Sequence, residues 1–75
     1  MGYELWDTET GNLVEAFDTQ VDALVAADEV IAANAPAYPA ALTLLRAGAD
    51  GSLTTVAEGE TLAALAQRTA ASVRG

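Results

Sequence analysis

Apolar and polar side chains alternate in two short runs near the start of the chain, Tyr3 to Asp7 and Leu13 to Phe17, with Thr8-Glu9-Thr10-Gly11-Asn12 between them. Alternation with period two, bounded by turn residues, predicts a β-hairpin. Gly11 suits the positive-φ position that closes a three-residue turn with a bulge. In that register Trp6 opposes Val14 and Glu4 opposes Ala16 on one face. Tyr3 then opposes Phe17, Leu5 opposes Glu15 and Asp7 opposes Leu13 on the other. Both faces of the hairpin carry apolar groups, so the pattern raises the question of what covers the face that holds Trp6.

The period changes after Phe17. In FDTQVDALVAADEVIAAN, Thr19 is a good N-cap, Asp22 three residues later can reach back, and Asp18 and Asp22 suit the positive end of a helix. A helix from Gln20 to Asn34 follows, with Leu24, Ala27 and Ile31 at the centre of its inner arc, Ala23 and Val30 beside them, and Asp22 and Glu29 opposite. Val21 and Val25 form a second, weaker apolar flank. Asn34 and Pro36 end the helix, and Ala35 to Ala40 reads as a linker stiffened by Pro36 and Pro39. A second hairpin spans Ala41 to Ala57, with a two-residue turn at Asp50-Gly51; Gly48 also admits a longer loop. In the two-residue register Leu45 opposes Val56, while Leu42, Leu44, Leu53 and Ala57 gather on the other face. GETLAALAQRTAASVRG then predicts a helix from Glu60 to Ser72 with Leu62, Leu65, Ala66 and Thr69 inward and Val73 continuing that face.

The order β-β-α-β-β-α implies an α+β fold in one small domain, residues 1–75: a four-stranded antiparallel sheet with helix 20–34 on one face and a C-terminal helix. Phe17 precedes the cap directly, so its face, with Leu5 and Leu13, is expected to meet that helix. Trp6, Val14 and Ala16 then point the other way. Were the C-terminal helix to cross to that side, Trp6 would be ordinary core; were it to lie beside the first helix, Trp6 would mark an interface.

Composition sharpens this picture. A chain of 75 residues and 7.6 kDa folds to a surface of roughly 4,300 Å² and buries only about 60% of what the unfolded chain exposes. Alanine inflates the 52% hydrophobic fraction, since aromatics are 5%. Assembly is then the likeliest extra source of stability. With no cysteine and no histidine, disulfides and soft metal sites are excluded and only hard oxygen ligands remain. The longest uncharged stretch, Val30 to Leu45, contains two prolines and lacks the unbroken apolar character of a membrane span. A first strand at Tyr3 leaves no room for a signal peptide, and a cytoplasmic location is expected.

The net charge of −8 is confined to the start. Residues 1–29 hold eight acids and no base, whereas residues 30–75 hold three acids and three arginines. Such a field repels nucleic acid and anionic membrane and favours a basic partner; it also keeps a small apolar domain soluble.

Candidate chemistry is sparse. Without His, Lys or Cys, nucleophilic catalysis reduces to Ser52, Ser72 or a threonine beside a carboxylate, and no catalytic residue, cofactor or metal site is expected. Asp7 and Glu9 open like a calcium loop, but Gly11 occupies the third ligand position. GADGS lacks the glycine-lysine signature of a phosphate loop. Trp6 could serve as core, as a stacking platform or as an interface anchor; a nucleic-acid platform wants bases around it, and its neighbours are Glu4 and Thr8.

The run YELWDTETGNLVEAFDT, an alanine-rich helix, LTLLRAGADGS and a terminal AEGETLAALA together resemble a group of small bacterial proteins of unknown function built as hairpin, helix and hairpin. That resemblance covers nearly the whole chain and implies the fold. Locally, FDTQVDALVAA is similar to the strand-to-helix junction of AP2-type and phage integrase arm-binding domains. Those domains read DNA with arginines on the sheet; here strands 1 and 2 carry Glu4, Asp7 and Glu15, so only the architecture of the junction is shared.

The function expected is therefore a non-catalytic interaction module, a homodimer formed through an apolar sheet or helix face. Trp6, Val14, Ala16, Val21 and Val25 are its candidate contacts. The alternative is an acidic inhibitor or antitoxin-like protein whose Glu4, Glu9 and Glu15 cover a basic site on a partner protein.

Overall fold

The structure is a computed structural model that describes residues 2–34 and 41–74; the expected linker Ala35 to Ala40 lies outside them. Six elements follow in the order anticipated: β1 (Gly2–Asp7), β2 (Asn12–Phe17), α1 (Gln20–Asn34), β3 (Leu42–Ala47), β4 (Leu53–Glu58) and α2 (Gly59–Arg74). The fold is α+β. Four antiparallel strands form an open sheet in the order β2-β1-β3-β4, so the first strand of each hairpin lies at the centre and the second at an edge.

Local chemistry explains the junctions. At the first turn, Asp7 Oδ1 accepts hydrogen bonds from the amides of Glu9 (2.9 Å) and Thr10 (3.3 Å), and the Gly11 amide donates to the Asp7 carbonyl at 2.8 Å. Gly11 adopts φ 74°, which a side chain would strain. Asp7 pairs with Asn12, so the loop spans Thr8 to Gly11, one residue more than the three-residue turn expected. Thr19 caps α1: its Oγ1 accepts from the Asp22 amide at 3.1 Å. In the second hairpin the Gly51 amide donates to the Gly48 carbonyl at 3.0 Å and the Gly48 amide to the Ser52 carbonyl at 2.7 Å. Gly51 takes φ 86°. The longer loop that Gly48 permits is thus the one formed, because a three-residue turn closed by Gly51 keeps both flanking amides bonded.

Both helices lie on the same side of the sheet. Helix α1 packs over β1 and β2, α2 over β3 and β4, and the two helices pack against each other. Between these layers Leu5, Leu24, Leu42, Leu44 and Leu62 are nearly inaccessible. Alanines fill the space between them: Ala23 and Ala27 on α1 and Ala66 on α2 belong to the same cluster. Small side chains there allow the helices to approach closely, and Phe17, Val30, Ile31, Val56 and Leu65 close the margins. The inner arc of α2 runs Leu62, Ala66, Ala70, a strict i, i+4 row, and Val73 is 58% exposed instead of continuing it. Arg74 at the end of α2 bridges to Asp28 (3.2 Å) and Glu29 (3.6 Å) on α1.

Each hairpin carries one bulge, and the two bulges correct the expected registers. In the first hairpin Leu5 pairs with Glu15 but Trp6 pairs with Leu13, which leaves Val14 as the extra residue. Leu13 therefore joins the face of Trp6, and it does not meet the helix. In the second hairpin Leu44 pairs with Ala57 and Leu45 with Thr55, which leaves Val56 extra and sets Leu53 opposite Ala47. Leu53 consequently leaves the face of Leu44 and is 52% exposed. Leu5 and Leu44, which adjoin the two bulges, pair with each other across β1 and β3. The two β-β-α halves are thus related by an approximate two-fold axis through the middle of the sheet.

Candidate interaction surface

Antiparallel partners share a face, so the pairings sort every strand residue. Leu5, Leu42, Leu44 and Ala57 face the helices. The second face consists of three rows read across β2-β1-β3-β4: Leu13, Trp6, Thr43 and Glu58; then Ala16, Glu4, Leu45 and Thr55; and at the far end Gly2, Ala47 and Leu53. No described element of the chain packs on this second face. Helix α2 lies beside α1 and does not cross over to the side of Trp6.

Trp6 lies half-buried at the centre of one row, and its indole Nε1 donates to Glu4 Oε1 at 2.9 Å. The two side chains sit two residues apart on one strand and hence on one face. That bond satisfies the indole N–H and holds the ring along the sheet. Thr43, its cross-strand neighbour, is 8% exposed despite lying on the open side. Leu13 (46%) and Leu53 (52%) occupy opposite corners. At the far end of β1 a shallow, open hollow of about 220 Å³ is bordered by the small residues Gly2, Ala16 and Ala47 together with Tyr3, Glu4, Phe17 and Asp18. The open-face positions carry Glu4 and Glu58 and, among the described residues, no base.

The expected contact residues divide between surfaces. Trp6 and Ala16 lie together on the open sheet face. Val14 is 39% exposed at the bulge beside them. Val21 (49% exposed) and Val25 belong to α1, on the helical side of the molecule, and are not brought to Trp6. Leu45 lies on this face, away from Leu44, as its place in the strand predicts, whereas Leu13 and Leu53 were expected on the helix side. For Leu13 and Leu53 the signal was masked by the bulges, which reverse the side of every residue beyond them. The three acids of the alternative reading do not form one surface either: Glu4 is on the open face, Glu9 in the turn, and Glu15 at a helix-side position on edge strand β2.

A second, wider groove of about 700 Å³ opens beside the start of α2 and is lined by Thr8, Leu42, Glu58, Gly59, Glu60 and Thr61. Its two carboxylates oppose the anion that a helix start would otherwise attract. No three side chains suited to a metal converge among the described residues, and no described helix is long and apolar enough to cross a membrane. Comparisons with protein-family models, with curated proteins and with solved structures find no match.

Proposed function

We propose that this chain is a non-catalytic interaction module that associates with a second copy of itself through the open face of its sheet. The observation that carries the reading is a four-stranded sheet with Trp6, Leu13, Leu45 and Leu53 on a face that no described element covers. A tryptophan among leucines on an uncovered sheet is costly to leave in water and is the usual make-up of an interface anchor. The edges support a face-to-face mode over an edge-to-edge one. Both edge strands, β2 and β4, are bulged at Val14 and Val56, and bulges interrupt the ladder that an added strand would need. Four strands of six residues present a plan area of about 400 Å² per copy, so a pair conceals on the order of 800 Å² or more. That is the size of a weak, reversible association. Sedimentation equilibrium from low to several hundred micromolar checks the reading, with a concentration-dependent dimer as the expected result; a strict monomer with a native circular dichroism spectrum sinks it.

A basic protein partner is the second reading, and the observation favouring it is the presence of Glu4 and Glu58 on the open face without a compensating base. Salt separates the two. Capture of a basic partner weakens as ionic strength rises, whereas pairing of two copies, each of net charge −8, strengthens.

A further inference from the structure

We infer that, within the self-association proposed above and resting on it, two copies pair about a two-fold axis at the level of Glu4, with Trp6 of each copy seated in the other's hollow beside Gly2, Ala16 and Ala47. The open face is a knob and a hole on one strand. Trp6, its largest side chain, stands two residues to one side of Glu4, and Gly2, which has no side chain, stands two residues to the other. The separation from Trp6 to Gly2 along β1 is about 14 Å at ~3.4 Å per residue, with Glu4 at the midpoint. An axis lying in the plane between two stacked sheets, across the strands at the level of Glu4, reverses the strand direction of the second copy. It therefore carries each Trp6 over the opposite Gly2. The hollow is open to solvent, and Gly2, Ala16 and Ala47 at its floor are the smallest residues of this face, which leaves above them the space that a large side chain of a second copy would take. Stacked sheets lie about 10 Å apart and gain their packing by setting large side chains over small ones. A second copy meets that requirement twice, once at each end of β1, and an isologous contact needs this self-complementarity.

The test fills the hole and reads both the assembly and the single tryptophan. Ala47→Leu narrows the hollow from β3, and Ala16→Leu narrows it from the exposed edge strand, where folding is least at risk. Each is compared with the wild type by sedimentation equilibrium and by Trp6 fluorescence over the same dilution series, with circular dichroism as the check on folding. The wild type should show blue-shifted emission when concentrated and a red shift on dilution in step with dissociation. Both variants should remain folded, dimerise roughly tenfold or more weakly, and emit at the red-shifted position throughout. A wild type that dimerises while both folded variants do so equally well overturns this seating and leaves self-association through another surface. A wild type that never dimerises overturns the self-association reading itself.

Discussion

Single residues carry separable jobs in this protein, and Asp50 and Leu44 mark the extremes. Asp50 sits fully in solvent at the second turn, where hydrogen bonds from the Ser52 side chain and from the Ser52 amide (3.0 Å) hold its carboxyl below the usual value of 3.8. A lowered value in the folded state means that the turn contributes stability above pH 3.8, and that the contribution is lost as pH falls through the lower folded value. Ser52→Ala removes the hydroxyl bond, the stronger of the two, so the Asp50 titration followed by NMR should move up toward 3.8. An unchanged midpoint would show that the amide alone sets it. Leu44, by contrast, is 0% exposed at the pairing that joins the two halves. Leu44→Ala should cost about 2–5 kcal/mol, most of the stability that a domain of this size possesses. Urea titration is expected to find the variant largely unfolded, and a loss below about 1 kcal/mol would contradict the packing described.

At the scale of the elements, the α1–α2 contact combines a buried seam of small residues with exposed charge, and these contribute unequally. The guanidinium of Arg74 is 54% exposed and Glu29 66% exposed, so solvent and salt screen the bridge. Arg74→Ala should lower stability by less than about 1 kcal/mol, and by less still in high salt. Removing the cap with Thr19→Ala leaves the Asp22 amide without its acceptor and should cost about 1 kcal/mol. For a chain of this length that corresponds to a fall of roughly 4–8 °C in Tm. Thermal melts of the two variants side by side rank the contributions; a larger loss for Arg74→Ala than for Thr19→Ala would reverse the order argued here.

For the whole molecule, the decisive feature is that both helices cover one face of the sheet and no described element packs on the other. The accessible surface, 4486 Å², is close to the roughly 4,300 Å² expected for its mass, so the open face is not a sign of a loosely folded chain. In the two-fold pairing inferred above, the two Glu4 carboxylates approach each other at the axis. Glu4→Gln retains an acceptor for the Trp6 indole while removing that repulsion, so dimerisation should tighten several-fold. Sedimentation equilibrium of the variant checks this, and weaker association would place the axis elsewhere.

Much of the fold was legible in the sequence because it is encoded over short distances. The positive φ of Gly11, the Thr19 cap and the full extent of α1 depend on backbone conformation and hydrogen bonds within a few residues, and each was anticipated there. The inner arc of α1 was legible too, since helical period alone places Leu24, Ala27 and Ile31 together. Half of the open face, Trp6 with Ala16, followed from strand alternation. What sequence could not determine lies across the sheet. The bulges at Val14 and Val56 form between strands, in competition with regular pairing, and each reverses the face of the residues beyond it, so Leu13 and Leu53 moved from the expected core to the exposed side. The side of the sheet on which α2 docks is likewise a property of the whole chain. It is set by the burial of Leu62 and Ala66 with Leu44, Ala57 and the inner residues of α1, contacts that form only when both halves are together. The sequence by itself determined the elements and placed Trp6 on the face opposite Leu5; only the tertiary structure decided that both helices take the Leu5 side, because the burial of Leu62 and Ala66 depends on contacts across the whole chain.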